Sequence, residues 1–368
     1  MTVIKNGRVV LKDRILEKAS ILIDDGIIQD ISESEVCGGA GAVILDAEGV
    51  YIAPGFVDIH CHAGGGCWAY DDPEAAAIYH LKNGTTSLVL TLYHDIGHDG
   101  IMTGVRRIKK AMEEDCPGNI AGIHLEGPYL SKKYGASAGT ARTPDPDEYK
   151  TYIREFGPLI RQWTFTPEVE GTDAFIEAAI AAGITLSIGH SEASPERVFE
   201  VVDKGVTICT HMGNATACSI MPSRYDGTQE VTFDQAVMLR DEVMCEVIND
   251  KCGVHVRPLM TQFYVKAIGV DRLIGITDSA AGSNDNSDIN ILNGELYGSK
   301  LNMLQVAKNF MENTGLSITE TFRVCAINPA KAIGLKEKGE IAVGKHADIL
   351  MLDEAFNIRD VLLRGVVQ

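Results

Sequence analysis

The hydrophobic pattern of this chain changes character twice. From residue 1 to about 52, apolar and polar positions alternate at the strand period in TVIKNGRVV, ASILIDDGIIQDI and AVILDAEGVYIAP, with turns expected at Asn6-Gly7, Asp25-Gly26 and Glu48-Gly49. No helical period interrupts them. The C-terminal stretch returns to the same texture, in GEIAVGKHADILMLD and the hairpin-like NIRDVLLRGVVQ. Isolated strands need partners, so the two ends are expected to pair into one small sheet domain, residues 1–52 with residues 337–368.

Between these ends, short apolar runs alternate with amphipathic stretches of helix length. The strand candidates are GFVDIHCH, TSLVLTLY, IAGIHLEGP, WTFTPE, TLSIGHS, TICTHMGN, CEVINDKCG and LIGITDS. The helical stretches that separate them include DPEAAAIYHLKNG, DPDEYKTYIREFG, TDAFIEAAIAAG and LNMLQVAKNFMENTG, and ITETFRVCAINPAKAIG follows as a further helix. Several carry a cap-type residue first and Gly last, as Thr172 to Gly183 and Ser194 to Gly205 do. Eight such alternations predict a (β/α)8 TIM barrel over residues 53–336, with a small β-sandwich domain built from both chain termini. A doubly wound open sheet is the weaker expectation, because no GxGxxG or Walker-type loop is present.

A length of 368 residues fits one barrel of roughly 250 residues plus an appendage. Hydrophobic content of 45% and charged content of 23% are those of a globular enzyme. No apolar run approaches the ~20 residues of a membrane span, and MTVIKNGRVVLKD enters strand alternation with no signal-peptide core, so a cytoplasmic location and no membrane partner are expected. Nine cysteines without CxxC spacing, several in apolar runs, read as reduced thiols. A formal charge of −18 argues against nucleic acid, which needs a basic face, but leaves room for one arginine to bind a small anion in a cleft.

Candidate chemistry begins at GFVDIHCHAGGG. Side chains two apart on a strand point the same way, so His60 and His62 can grip one cation at a strand end, below a glycine-rich turn. An HxH pair alone is a weak signal. It gains weight because barrel chemistry collects at the C-terminal ends of strands. His60 and His62 close strand 1, Glu126 strand 3, His190 strand 5, His211 strand 6 and Asp278 strand 8. Four imidazoles and two carboxylates at one mouth suit one or two divalent ions, zinc first, with iron, manganese or cobalt as substitutes. Each residue also has an ordinary alternative: a satisfied strand-end histidine, a salt-bridged Glu126, an Asp278 that caps the next helix. His124, two positions before Glu126, is expected to orient it; His80, His94, His98 and His346 fall on helices or loops and read as ordinary. Asp278, followed by small residues, is placed to take a proton from activated water and pass it to a departing nitrogen.

These residues resemble the metal-dependent amidohydrolases, and within them the N-acetylglucosamine-6-phosphate deacetylases. APGFVDIHCH, GIHLEGPYL, SIGHSEAS, THMGNAT, VHV and GITDSAAGS occur in that family's order through nearly the whole chain. Strand 4, WTFTPE, lacks the bridging lysine of most other amidohydrolases, and Glu126 looks like its substitute. The resemblance implies that Glu126, His190 and His211 hold a principal metal and that His60 and His62 hold a second. It further implies that Asp278 is the general base and acid, that Asn214 and Ala215 contact the sugar, and that Arg224 binds its phosphate. His255 would polarise the amide carbonyl or touch the phosphate, and a homodimer is expected. The chain departs from the pattern after strand 3, where YGASAGTARTPDPDEY has no histidine around Ser137, and after His211, where Met212 and Gly213 precede Asn214. The expected activity is removal of the acetyl group from an N-acetylated amino sugar phosphate. Two rivals are a different amidohydrolase specificity on the same centre, such as an N-acyl amino acid or cyclic amide, and a non-catalytic member of the family.

Overall fold

The structure is a computed structural model that describes the chain except for Glu35, Cys37, Ala40, Ser137, residues 218–224, Asp226, residues 283–286 and Asn293. Eight parallel strands form its central sheet: β1 (Phe56–Cys61), β2 (Thr85–Tyr93), β3 (Ile120–Glu126), β4 (Ile160–Phe165), β5 (Thr185–Ile188), β6 (Ile208–Cys209), β7 (Met244–Ile248) and β8 (Leu273–Ile276). Each pairs with its sequence neighbours. The ends of the sheet meet: Asp278 N donates to His60 O at 2.9 Å, Cys61 bridges Ser279 in parallel, and Thr277 Oγ1 donates to Asp58 Oδ2 at 2.6 Å. The result is the closed barrel that the alternation predicted.

Helices α1 (Pro73–Lys82), α2 (Gly97–Glu113), α3 (Pro146–Phe156), α4 (Thr172–Ala181), α5 (Pro195–Asp203), α6 (Phe233–Met238), α7 (Pro258–Ile268) and α8 (Met303–Thr314) follow the strands in turn. Local chemistry sets their starts. Asp72, Asp145 and Ser194 accept from first-turn amides of α1, α3 and α5, each with proline at the first helical position, and Thr232 and Asn302 form capping boxes on α6 and α8. Thr172 does not cap α4 as expected; Gly171 holds the cap position in a left-handed conformation, and the Thr172 hydroxyl donates back to Val169 O. Large rings such as Trp163, Phe175 and Tyr129 fill the layer between strands and helices.

Both chain ends build a second sheet. Strand Tyr51–Pro54 pairs antiparallel with Ile349–Leu352, joining the N-terminal strands to the C-terminal ones. The sheet forks at its long first strand, Thr2–Val10, whose first half pairs with Val43–Asp46 and whose second half pairs with Tyr51–Pro54. Ile21, Ile23 and Ile28 from one side and Ile349, Met351 and Leu362 from the other close over a single apolar core. Val10, Ala53, Leu350 and Leu352 face the opposite way and join the barrel core.

Asp25-Gly26 and Glu48-Gly49 turn as expected. Asn6-Gly7 does not: it is a bulge inside the first strand, with Asn6 at φ 59°. Gly7 is required there because a Cβ would lie 2.2 Å from Ile52 Cδ1. A hairpin between β8 and α8, Ile289–Leu292 with Glu295–Ser299, was not anticipated, and it folds beside the barrel mouth. No helix among the described residues is long and apolar enough to cross a membrane.

Candidate metal centre and active site

The strand alternation places Asp58, His60 and His62 on one side of the chain, facing the barrel axis, and all three are buried. His60 Nε2 and His62 Nε2 stand 3.3 Å apart. Glu126, at the end of β3, reaches them with Oε2, at 3.6 Å from His60 and 3.1 Å from His62. Its other oxygen lies 2.9 Å from His190 Nε2 and 3.1 Å from His211 Nε2, and those two nitrogens are 3.1 Å apart. Asp278 Oδ1 closes the group at 3.4 Å from His60 Nε2 and 3.2 Å from His62 Nε2. Glu126 therefore joins two donor sets, His60–His62–Glu126 and Glu126–His190–His211, each with ligand atoms within 4.8 Å of one another.

Three residues of the set hold unusual backbone: His190 at φ 50°, His211 at φ 29° and Asp278 at φ 46°. Positive φ costs a non-glycine residue about 1–3 kcal/mol and persists where surrounding contacts over-determine it. Each of these residues follows the last residues of a strand, so the twist swings its side chain inward over the barrel mouth.

The outer ring nitrogens decide what the inner ones can do. His60 Nδ1 faces Glu246 Oε2 at 3.1 Å, His190 Nδ1 faces Tyr134 O at 3.3 Å, and His211 Nδ1 faces Asn214 O at 3.2 Å. Each partner is an acceptor, so Nδ1 carries a proton and Nε2 is the nitrogen turned toward the shared group. Freed of their protons, nitrogens 3.1 to 3.3 Å apart with two carboxylates among them cannot satisfy one another. Cations resolve that conflict, and imidazole with carboxylate is a donor set for zinc-type divalent ions. The electrostatics agree. Burial pushes the Glu126 carboxyl up, but His60, His190 and His211 outweigh it and hold it well below the carboxylate range. Burial pulls His60 down, yet Glu126 and Asp278 raise it well above the usual imidazole value, as expected of a site rich in negative charge.

A cleft opens above this group. Asn214 and Ala215 line it, with Tyr93, Gly135 and Ala136 on one side and Leu296, Tyr297 and Gly298 from the unanticipated hairpin on another. Tyr297 OH donates to Asp95 Oδ2 at 2.6 Å and Tyr93 OH to Ala136 O, so both rings are pinned with their π-systems near the cleft. His255 stands behind Gly298, with Nδ1 3.0 Å from Asp250 Oδ2 and Nε2 3.1 Å from Gly298 O. It is not brought into the group of six. Arg224 lies outside the described residues, as does Ser137.

His124 was expected to orient Glu126, and its contacts lie elsewhere. Its nitrogens meet Thr91 Oγ1 at 3.2 Å and Thr164 Oγ1 at 2.8 Å, and its ring stands edge-on to His60 at 4.5 Å between centroids, so it braces His60. Asp58, Cys61 and His80 form a third close group, but their atoms are engaged: His80 Nε2 and Cys61 Sγ both donate to Ala63 O, and Asp58 accepts from Thr277. Sequence reasoning missed Glu246, Gln162, Tyr93 and Tyr297. For Glu246 a signal existed, a charged residue inside the otherwise apolar strand MCEVI.

The sequence profile described as "Amidohydrolase family" matches residues 51–367. The N-acetylglucosamine-6-phosphate deacetylase of Bacillus subtilis is 28% identical to this chain over 98% of it and 96% of the relative. The N-acetylgalactosamine-6-phosphate deacetylase of a Shewanella species is 26% identical over 99% and 95%. Among solved structures, a mutant N-acetyl-D-glucosamine-6-phosphate deacetylase from Mycobacterium smegmatis, in complex with N-acetyl-D-glucosamine-6-phosphate, superimposes with a TM-score of 0.85 at 26% identity, covering 100% of this chain and 98% of that one. With the family profile spanning most of its length, the barrel closed and six imidazole and carboxylate groups gathered at its mouth, this chain belongs to the amidohydrolase family, the metal-dependent hydrolases of carbon–nitrogen bonds.

Proposed function

We propose that this chain removes the acetyl group from N-acetylglucosamine-6-phosphate or a close relative. The observation that carries the reading is the convergence of Glu126, His190 and His211 on one point, with Asp278 against the adjoining His60 and His62, in a fold shared with deacetylases of that substrate class. In this reading Glu126, His190 and His211 would hold the principal divalent ion, and His60 and His62, with Glu126, would hold a second. Zinc suits the donors, with iron, manganese or cobalt as alternatives. Such an ion makes water acidic enough to furnish hydroxide near neutral pH.

The chain's own groups supply the remaining steps. Asp278 is buried at the rim of the donor set; burial pushes its carboxyl up, but His60 and His62 outweigh that and hold it below the usual range, so it is ionised and ready to accept a proton. It takes the proton of the attacking water and returns it to the departing amine, and acetate leaves. Asn214 and Ala215 position the sugar at the cleft wall. His255, held by Asp250, acts on the amide oxygen or the sugar phosphate once substrate displaces its contact with Gly298 O, and Arg224 receives the phosphate. A homodimer in the cytoplasm completes the proposal.

A second reading has its own support: the described lining of the cleft contains no lysine or arginine, and Gly135 and Ala136 stand where the loop after β3 offers no histidine. That lining suits an amidohydrolase of different specificity on the same centre, acting on an N-acyl amino acid or a cyclic amide. Acetate release from N-acetylglucosamine and N-acetylgalactosamine, each with and without a 6-phosphate and in several divalent metals, separates the two. Strong dependence on the 6-phosphate supports the sugar phosphate; indifference to it favours the second reading.

A further inference from the structure

Glu246 is completely buried in the middle of β7, where its neighbours Met244, Cys245, Val247 and Ile248 are apolar. Its described partners are His60 Nδ1 at 3.1 Å and the His211 amide at 3.4 Å on Oε2, and the Gln162 amide at 2.6 Å on Oε1. None of these described partners is a lysine or arginine. A buried carboxylate that meets only such donors is costly unless positive charge stands nearby. Gln162 is itself buried on β4; its amide also reaches Ser187 Oγ at 3.4 Å, and its carbonyl oxygen has no partner among the described residues. One carboxylate thus grips the ring of a residue from one donor set and the backbone of a residue from the other.

Resting on the metal-centre reading above, we infer that Glu246 is a positioning residue for the two-ion centre: through His60 it fixes the ring that faces the second ion, and through the His211 amide it ties that ion's side of the site to the other. In the loaded site its carboxylate would hold the proton of His60 on Nδ1, leave Nε2 to the ion and make that nitrogen a stronger donor. Among the described residues His62 Nδ1 is buried without such a partner, so His60 is the better anchored of the pair.

The test is a competition titration of Zn2+ into metal-free protein against a chromophoric chelator, with melting curves of the metal-free and loaded forms. In Glu246→Gln the amide oxygen can still accept from His60, and Gln162 can turn its unpartnered oxygen to the new amide, so the fold is kept while the charge is lost. Glu246→Met removes the acceptor as well. The wild type is expected to bind two ions; Glu246→Gln should weaken one of them about 10-fold, and Glu246→Met about 100-fold, with the other site less affected. The gain in melting temperature on loading should shrink in the same order, which a purely structural role would not produce, because that role shifts both forms alike. Two wild-type-like affinities in both variants would overturn the inference and leave the metal centre standing. A wild type that binds no ion would overturn both.

Discussion

Glu126 stands 3.1 Å from His62 Nε2 through one oxygen while its other oxygen is engaged by His190 and His211, which follow β5 and β6. A single side chain is thus common to both donor sets, and neither is complete without it.

Glu126→Gln should therefore remove more than one ion's worth of binding. The expected outcome is a fall in bound metal to less than one ion per chain and a loss of more than about 100-fold in turnover. Elemental analysis beside a steady-state assay checks it. Metal content equal to wild type would contradict the bridging role.

Asp278→Asn should behave differently, because Asp278 sits at the edge of the set and the five other groups remain. Metal content should hold while turnover falls about 100- to 10,000-fold, the usual worth of a general acid and base. Unchanged turnover in the metal-loaded variant would refute that role.

How much of this was legible in the sequence follows from the range of each signal. The barrel was, since period-two and period-3.6 patterns are local and eight repeats reinforce one another. The strand-end positions of His60, His62, Glu126, His190, His211 and Asp278 were legible for the same reason: each closes an apolar run. Bonds across the barrel were not. Nothing local ties Glu246 to His60, 186 positions earlier, or Tyr297 to Asp95, 202 positions earlier. The Asn6-Gly7 pair misled because its positive φ serves a bulge as well as a turn.

The loop after β3 supports the centre through its backbone. Gly135, at φ 87°, approaches His190 so closely that a Cβ would lie 2.4 Å from Nδ1. Gly135→Ala should displace the His190 ring, weaken metal binding about tenfold and slow turnover. Gly139→Ala, with nothing within 4 Å of its added carbon, is the control and should match wild type in the same titration.

Asp234, at the start of α6, gives a pH signature. It accepts from Thr216 Oγ1 at 2.9 Å, but burial dominates and pushes its carboxyl up from 3.8 to about 6. The folded state then binds this proton more tightly than the unfolded chain does. Its contribution is fully present below about pH 4, falls as the pH rises, and is gone above about pH 6. Relative to Asp234→Asn, which cannot ionise, the wild type should lose on the order of 3 kcal/mol of stability across that window. Urea melts of both proteins between pH 4 and 7 measure it, and parallel pH profiles would contradict the assignment.

The most direct test of the whole account is anomalous diffraction at the zinc edge from crystals of the zinc-loaded protein. A peak bonded at about 2.0–2.2 Å to Glu126, His190 and His211 is the predicted result, with a second beside His60 and His62. Zinc bound elsewhere, or no peak among those three side chains, would contradict it.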